Sequence, residues 1–479
     1  MGKFRFYSGT FSVKSLLICL CVLFTLGLLI SFEEHGSNYY VNELTIILTA
    51  ISSIVLVYII KDGYKNDNPL LIVLSVWSLM YIYVRVLTLH YTEYSLVFQG
   101  YGLNVTDVNN TLTIITLGVL GLWIGLHFKK IRSISSLQLD FSKKEAKLML
   151  CFYWISMGAY LFSNMNIPVI SGISSIVSPM ILNIHIVSNC FLVYFMLFKD
   201  NMDKRDSYIF IASIVFFLLV RLLDGSRAGL LEIVKSLCYI SLVLKYDSIK
   251  SRYIVLSIIM IPIALFFFAA TTYMRQLNAT NLSVREKVEI FSEVYHRDVS
   301  LFEKETLAPV FDRLGFLDYC AMPCSRRDVF KEFVNIRTEF ESIVDNALTP
   351  GFDVFDAPKI SNIQEYYLDN GKVIKKSEQA KYDYSSSEFT IFGEYYVLGG
   401  PFFYFPIIIL IGYFFKRLWL KFDRQITIKS LYNKVILLYI FEALLTSFGT
   451  DWICYRVVCA IITLYIYNKY FSKKIYVTQ

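Results

Sequence analysis

Long apolar runs alternate with short polar breaks along almost the whole chain. They stand at 15–32, 43–60, 69–91, 111–128, 148–163, 180–198, 208–224, 227–245, 253–274, 391–415, 431–449 and 453–472. Each is close to the roughly 20 residues a helix needs to cross the hydrocarbon of a bilayer, where only a structure that satisfies its own backbone polar groups survives. The pattern predicts an all-α polytopic membrane protein of about 12 transmembrane helices. One interval breaks the rhythm. The stretch 275–390 is long and polar, and it separates an N-terminal bundle of about nine helices (1–274) from a C-terminal group of about three (391–479). No repeat of fixed period is visible.

Basic residues give these runs a direction. The N-terminal segment, the alternate segments 61–68, 129–147, 199–207, 245–252 and 416–430, and the tail from Lys469 hold 25 Lys and Arg; 33–42, 93–110, 164–179 and 450–452 hold none. Positive charge near a helix end is retained in the cytoplasm. Both termini are therefore expected there, with the long loop on the outer face. The first run follows Lys3, Arg5 and Lys14 as a secretory leader would, but no small-x-small cleavage site precedes Glu33-Glu34, and it reads as a retained anchor.

Composition removes other classes. The chain is 56% hydrophobic and 18% charged over 479 residues, against about 45–50% and about 25% in soluble domains, so a soluble enzyme is excluded. The loop carries 15 Lys/Arg against 20 Asp/Glu, which places the net charge of +7 on the cytoplasmic segments. It suits anionic lipid headgroups of the bilayer and not nucleic acid. Seven of the nine cysteines lie in apolar runs as packing groups. Cys320 and Cys324 lie in the outer loop, where their spacing leaves a disulfide and two free thiols equally open. No His or Cys cluster has metal-ligand spacing, and neither metal nor cofactor is expected.

The loop shows its own periodicity. Ser283 to Glu286 reads as a capping box opening an amphipathic helix to about Leu307, with Val284, Val288, Phe291, Tyr295 and Phe302 as its apolar positions. A second helix is expected from Ser325 to just before Thr349, with Val329, Phe333, Ile336, Phe340 and Ile343 turned inward. Residues 351–388 have no period and read as a lid or binding loop. Tyrosine rings pack on pyranose C–H groups while the hydroxyl hydrogen-bonds, which makes Tyr366 and Tyr395 candidate sugar contacts; plain abundance of tyrosine is the alternative.

Charges within spans are costly and mark function by default. Arg85, Arg221, Asp224, Arg227, Arg275, Glu394, Asp451 and Arg456 all map to the outer third of their helices, while Glu232, Lys235 and Glu442 lie deeper and read as internal ion pairs. Arginine dominates the outer set, as a planar fork gripping phosphate or diphosphate would require. The turn Asp224-Gly225-Ser226 delivers Arg227 to the first turn of a helix, where free N–H groups already favour an anion; an arginine reaching for lipid headgroups is the alternative.

These residues carry a resemblance. Gly225-Ser226-Arg227-Ala228, then Arg297-Asp298 before the acidic and aromatic stretch 302–307, Pro350-Gly351 leading to Ala357-Pro358-Lys359, the glycine-bounded Phe392 to Gly400 return to the membrane, and Arg456-Val457-Val458 occur in order and on one side. Together they resemble the Wzy-type O-antigen and enterobacterial common antigen repeat-unit polymerases, GT-C-like membrane glycosyltransferases. The likeness spans 225–460; the first 200 residues match in hydropathy and helix number alone.

The resemblance implies metal-independent glycosyl transfer on the periplasmic face of the bacterial inner membrane. An acceptor hydroxyl of one undecaprenyl-diphosphate-linked oligosaccharide attacks the anomeric carbon of another, and undecaprenyl diphosphate leaves. Arg227 and Arg275, then Arg221, Arg297 and Arg456, are the expected diphosphate ligands. Glu394, Asp298 and His296 are the candidate bases, Glu394 being the sharper for its apolar and glycine neighbours. A Wzz-type chain-length regulator is the expected protein partner. An O-antigen ligase shares this chemistry and topology and differs in acceptor, whereas a lipid-linked oligosaccharide flippase normally lacks so large an outer loop.

Overall fold

The structure, a computed structural model, describes residues 10–92, 102–128, 141–164, 184–223, 227–244, 248–250, 289, 316–349, 354–357, 390–423, 428–446 and 449–470. Helices dominate: α1 (Val13–His35), α2 (Glu43–Lys65), α3 (Pro69–Ser78) running through a π turn (Leu79–Tyr83) into α4 (Val84–Thr92), α5 (Val105–Leu126), α6 (Lys143–Asn164), α7 (Ile184–Phe198), α8 (Lys204–Leu223) and α9 (Arg227–Val243). After them come α10 (Phe316–Ser325), α11 (Arg327–Phe330), α12 (Ile336–Ile343) with a π turn (Val344–Leu348), α13 (Thr390–Asp423), α14 (Ile428–Leu445) and α15 (Thr450–Tyr470). A short antiparallel pair, β1 (Thr10–Ser12) and β2 (Ser248–Lys250), sets Phe11 opposite Ile249. Eleven of the twelve apolar runs fall on these helices, and the run at 253–274 lies outside the described residues. Val13–Glu34, Glu43–Lys65, Pro69–His90, Val105–Leu126 and Thr390–Asp423 are long and apolar enough to cross a membrane.

The chain forms two compact units, one of residues 1–20 and 199–313, the other of 21–198 and 314–479. In the first, α8 packs on α9 and β1 pairs with β2. In the second, α5 and α13 meet backbone to backbone. A Cβ on Gly125 would stand 2.3 Å from the Ile409 carbonyl oxygen, and one on Gly412 would stand 2.9 Å from that of Leu122. Small residues allow such an approach in apolar surroundings, where close packing replaces the hydrophobic effect as the glue. Asn42 caps α2 and also accepts the Asn109 amide at 3.2 Å, tying α2 to α5.

Arg85 is not held ready for a ligand, which corrects its grouping with the outer-face arginines. Wholly buried on α4, it gives Nε to both Asp318 oxygens at 3.0 and 3.2 Å and Nη2 to Oδ2 at 2.5 Å. Asp318, equally buried on α10, thereby ties α10 to α4. Removing one partner of a buried ion pair costs about 3–5 kcal/mol, because it strands the other charge. Asp318→Leu should accordingly lower the unfolding temperature in detergent sharply, and adding Arg85→Met should recover much of the loss.

The second helix expected in the stretch 275–390 differs from its expected form. Ser325 ends α10 instead of opening a helix, and the run breaks at Lys331–Asn335. Asn335 then caps α12, accepting the N–H groups of Arg337 (3.0 Å) and Thr338 (3.2 Å) while the Thr338 hydroxyl accepts the N–H of Asn335. Its inward face is also reversed. Glu339, Ser342 and Asp345 are buried, whereas Ile336 is 85% and Phe340 60% exposed. The cause is what each polar side chain meets: Asp345 the backbone N–H groups of 354–357, Ser342 the Asp451 carboxylate, and Glu339 the Glu394 carboxylate. The first expected outer helix, 283–307, lies outside the described residues except for Glu289.

Candidate functional site

Three elements of one unit converge on Glu394: the start of α13, the start of α15, and α12 with its π turn. Glu394 is fully buried. Its Oε1 accepts the Thr450 N–H at 3.1 Å and the Thr450 hydroxyl, which also lies 3.0 Å from that of Tyr395. Gly449, at φ 119°, turns the chain so that α15 opens with Thr450 against this carboxylate.

Asp451 is 2% exposed and well supplied with donors. The Ser342 hydroxyl (2.9 Å) and the Asn346 amide (3.2 Å) reach its Oδ2, and the Trp452 N–H (2.8 Å) its Oδ1. Asp345, in the π turn after α12, accepts the N–H groups of Val354 (2.9 Å), Phe355 (3.1 Å) and Ala357 (3.0 Å), so it shapes the loop that carries Ala357.

Glu339 completes the group. It is 7% exposed and within hydrogen-bonding reach of Glu394. Neither of its oxygens, nor Oε2 of Glu394, meets a donor among the described residues. Two ionised carboxylates are acceptors only, so they bond to each other when one keeps a proton. Burial, followed by the charge of Glu394 and then that of Asp451, pushes the Glu339 carboxyl well above the usual carboxylate range. The arrangement can take up and release a proton away from water.

Arg456, on α15, lies half-buried over the rings of Tyr439 (5.2 Å) and Trp452 (5.1 Å). Tyr395 stands beside Glu394 in the site itself. Arg221 lies on α8 and Arg227 opens α9, both in the other unit. Arg275, His296, Arg297, Asp298 and Tyr366 fall outside the described residues. Cys320 and Cys324 stand as free thiols 3.7 Å apart.

Glu339 and Thr450 escape the sequence reading. A signal for Glu339 exists, since 339, 342 and 345 recur at helical spacing as a polar stripe, but hydropathy favours burying the competing stripe of Ile336, Phe340 and Ile343. Thr450 carries no signal of its own beyond preceding Asp451.

Residues 15–295 match the family described as O-antigen polysaccharide polymerase Wzy. Of the motifs that carry the resemblance, Gly225-Ser226-Arg227-Ala228 falls inside the matched stretch, while Arg297-Asp298 and everything from Pro350 onward falls beyond it. The match thus rests largely on the N-terminal region, whose first 200 residues share only hydropathy and helix number with the resemblance. No curated protein and no solved structure matches the chain.

Proposed function

Because the chain belongs to the O-antigen polysaccharide polymerase Wzy family, we propose that it joins undecaprenyl-diphosphate-linked oligosaccharide repeat units into a surface polysaccharide on the periplasmic face of the bacterial inner membrane. The family match over 15–295 is the observation that carries this reading. In it, about twelve helices cross the bilayer with both termini in the cytoplasm, residues 275–390 form the periplasmic loop between the N- and C-terminal bundles, and a Wzz-type protein regulates chain length.

The reaction forms a bond between an acceptor hydroxyl oxygen and the anomeric carbon of the donor. The bond from that carbon to the diphosphate oxygen breaks, and undecaprenyl diphosphate leaves with the electron pair. Arg227 and Arg275, supported by Arg221, Arg297 and Arg456, offset the charge that develops on the leaving diphosphate. Glu394 takes the hydroxyl proton, with Asp298 and His296 as the competing bases, and Tyr366 and Tyr395 hold sugar rings. Glu394 is favoured by its complete burial and by Thr450, which orients one carboxylate oxygen and leaves the other without a donor among the described residues.

Purified protein incubated with lipid-diphosphate-linked repeat units should yield a ladder of products spaced by one unit. A single addition to a lipid A core acceptor, without a ladder, would make it a ligase. Chelation is expected to leave the ladder intact, since arginines take the role a metal would have at the leaving group. Loss of product in EDTA, restored by magnesium or manganese, would overturn that assignment.

A further inference from the structure

The site contains more acid than one base needs. Glu394 has one oxygen satisfied by Thr450 and one without a donor among the described residues; Glu339, contributed by the outer segment, is more than nine-tenths buried and neither of its oxygens meets a donor there. Asp451 is different, because Ser342, Asn346 and the Trp452 N–H serve it. Two facing carboxylates, both ionised and both out of water, repel each other and lose their hydration. A single proton between them removes both penalties. It makes one carboxyl a donor and gives the unserved oxygens a partner.

We propose that Glu339 and Glu394 form one proton-sharing pair, and that this pair, rather than Glu394 alone, receives the acceptor hydroxyl's proton. This deepens the reading of Glu394 as the base and rests on it. Before reaction the pair holds one proton and one negative charge. As the hydroxyl oxygen bonds to the anomeric carbon, its proton passes to the ionised member, the bond to the diphosphate oxygen breaks, and the pair becomes neutral. The extra proton then leaves to the diphosphate or to water, restoring the starting state. Glu339 is a positioning residue in this scheme: with both Thr450 donors on Oε1 of Glu394 and the Glu339 proton on Oε2, the remaining lone pair of Oε2 is the one left to accept.

The surroundings fit a proton better than a metal ion. Among the described residues, no three His, Cys, Asp or Glu side chains are arranged to hold a metal. From α13 the pair faces Tyr395. From α15 it faces Asp451 and Cys454, with Arg456 further along over its two rings. On the outer segment, Asp345 is committed to the backbone of 354–357, and Arg337 is paired with Glu341 at 2.7 Å on the solvent side. Aspartate and cysteine beside the pair add to the pressure to keep a proton, as the upward displacement of the Glu339 carboxyl reflects.

Infrared difference spectra of the full-length protein in nanodiscs test the pair without reference to activity. At neutral pH the wild type should show a protonated-carboxyl band that shifts in deuterium oxide. Glu339→Gln and Glu394→Gln should each abolish it, and Asp451→Asn should not. Ladder turnover should fall roughly 10-fold in Glu339→Gln, less than the ~10²–10⁴-fold expected for loss of the base itself, and Glu339→Asp should recover part of it. Stability supplies the sign. A carboxyl whose folded pKa is raised stabilises fully below its unfolded value of about 4.3 and loses that contribution as pH rises, so the wild-type unfolding temperature should drop from mildly acidic to alkaline pH more steeply than that of Glu339→Gln. Absence of the band, or its survival in both Gln variants, overturns the pair. A band that behaves as expected alongside unchanged turnover in Glu339→Gln overturns its part in catalysis. Should the wild type make no ladder, the polymerase reading fails while the spectra still decide the pair.

Discussion

Arg227→Ala will abolish the polymer ladder while the protein still inserts into the membrane at wild-type level. Arg227 is the first residue of α9, where helix N–H groups without intrahelical partners add to the attraction for an anion. In the proposed mechanism the leaving diphosphate gains charge as its bond to the anomeric carbon breaks, so a guanidinium in contact with it would stabilise the transition state more than the bound substrate. Removing one such preorganised donor typically costs about 10²–10³-fold in rate. Loss of a full charge belongs at the upper end of that range. Arg227→Lys should be impaired as well, because a point charge does not reproduce the bidentate fork. Ladders of equal length from mutant and wild type, at matched protein levels, would remove Arg227 from the diphosphate site.

Glu394→Gln is expected to lower turnover by ~10²-fold or more while lipid-linked substrate still binds. The substitution preserves shape and keeps an oxygen for the Thr450 N–H, which now lies 3.1 Å from Oε1. What disappears is proton affinity. Asp298→Asn is the control, since only one carboxylate need act as the base, and the larger loss identifies it. If both variants stay within a few-fold of wild type, neither is the base, and His296 or activation without an enzymic base takes its place. Binding is followed separately with labelled lipid-linked substrate, so that a failure to bind is not mistaken for a failure to turn over.

The two tests draw on different kinds of legibility. Arg227 and Glu394 stood out in the sequence because a charge next to an apolar run is conspicuous wherever it lies. Their partners were not conspicuous. Thr450 is 56 residues from Glu394, Ser342 is 109 from Asp451, and Asp318 is 233 from Arg85. Nothing in the local pattern around Asp318 distinguishes it from the other acids of a loop that holds 20 of them. Arg85 shows the consequence: an arginine in an apolar run is costly and conspicuous, yet the structure satisfies it internally with Asp318.

By itself, then, the sequence determined what depends on short-range periodicity and transfer from water: the helical class, the placement of eleven apolar runs on helices and the resemblance to the polymerase family to which the chain belongs. Tertiary structure alone decided which stripe of α12 turns inward. A helix with one polar and one apolar stripe offers two faces, and hydropathy favours burying Ile336 and Phe340. The polar stripe is buried instead because its neighbours supply what it lacks. Backbone N–H groups of 354–357 meet Asp345, the Ser342 hydroxyl finds Asp451, and Glu339 lies beside Glu394, where the proposed shared proton would serve both. Burial of a polar group is costly only while its hydrogen bonds are unmade, and whether they can be made depends on contacts between residues far apart in the chain.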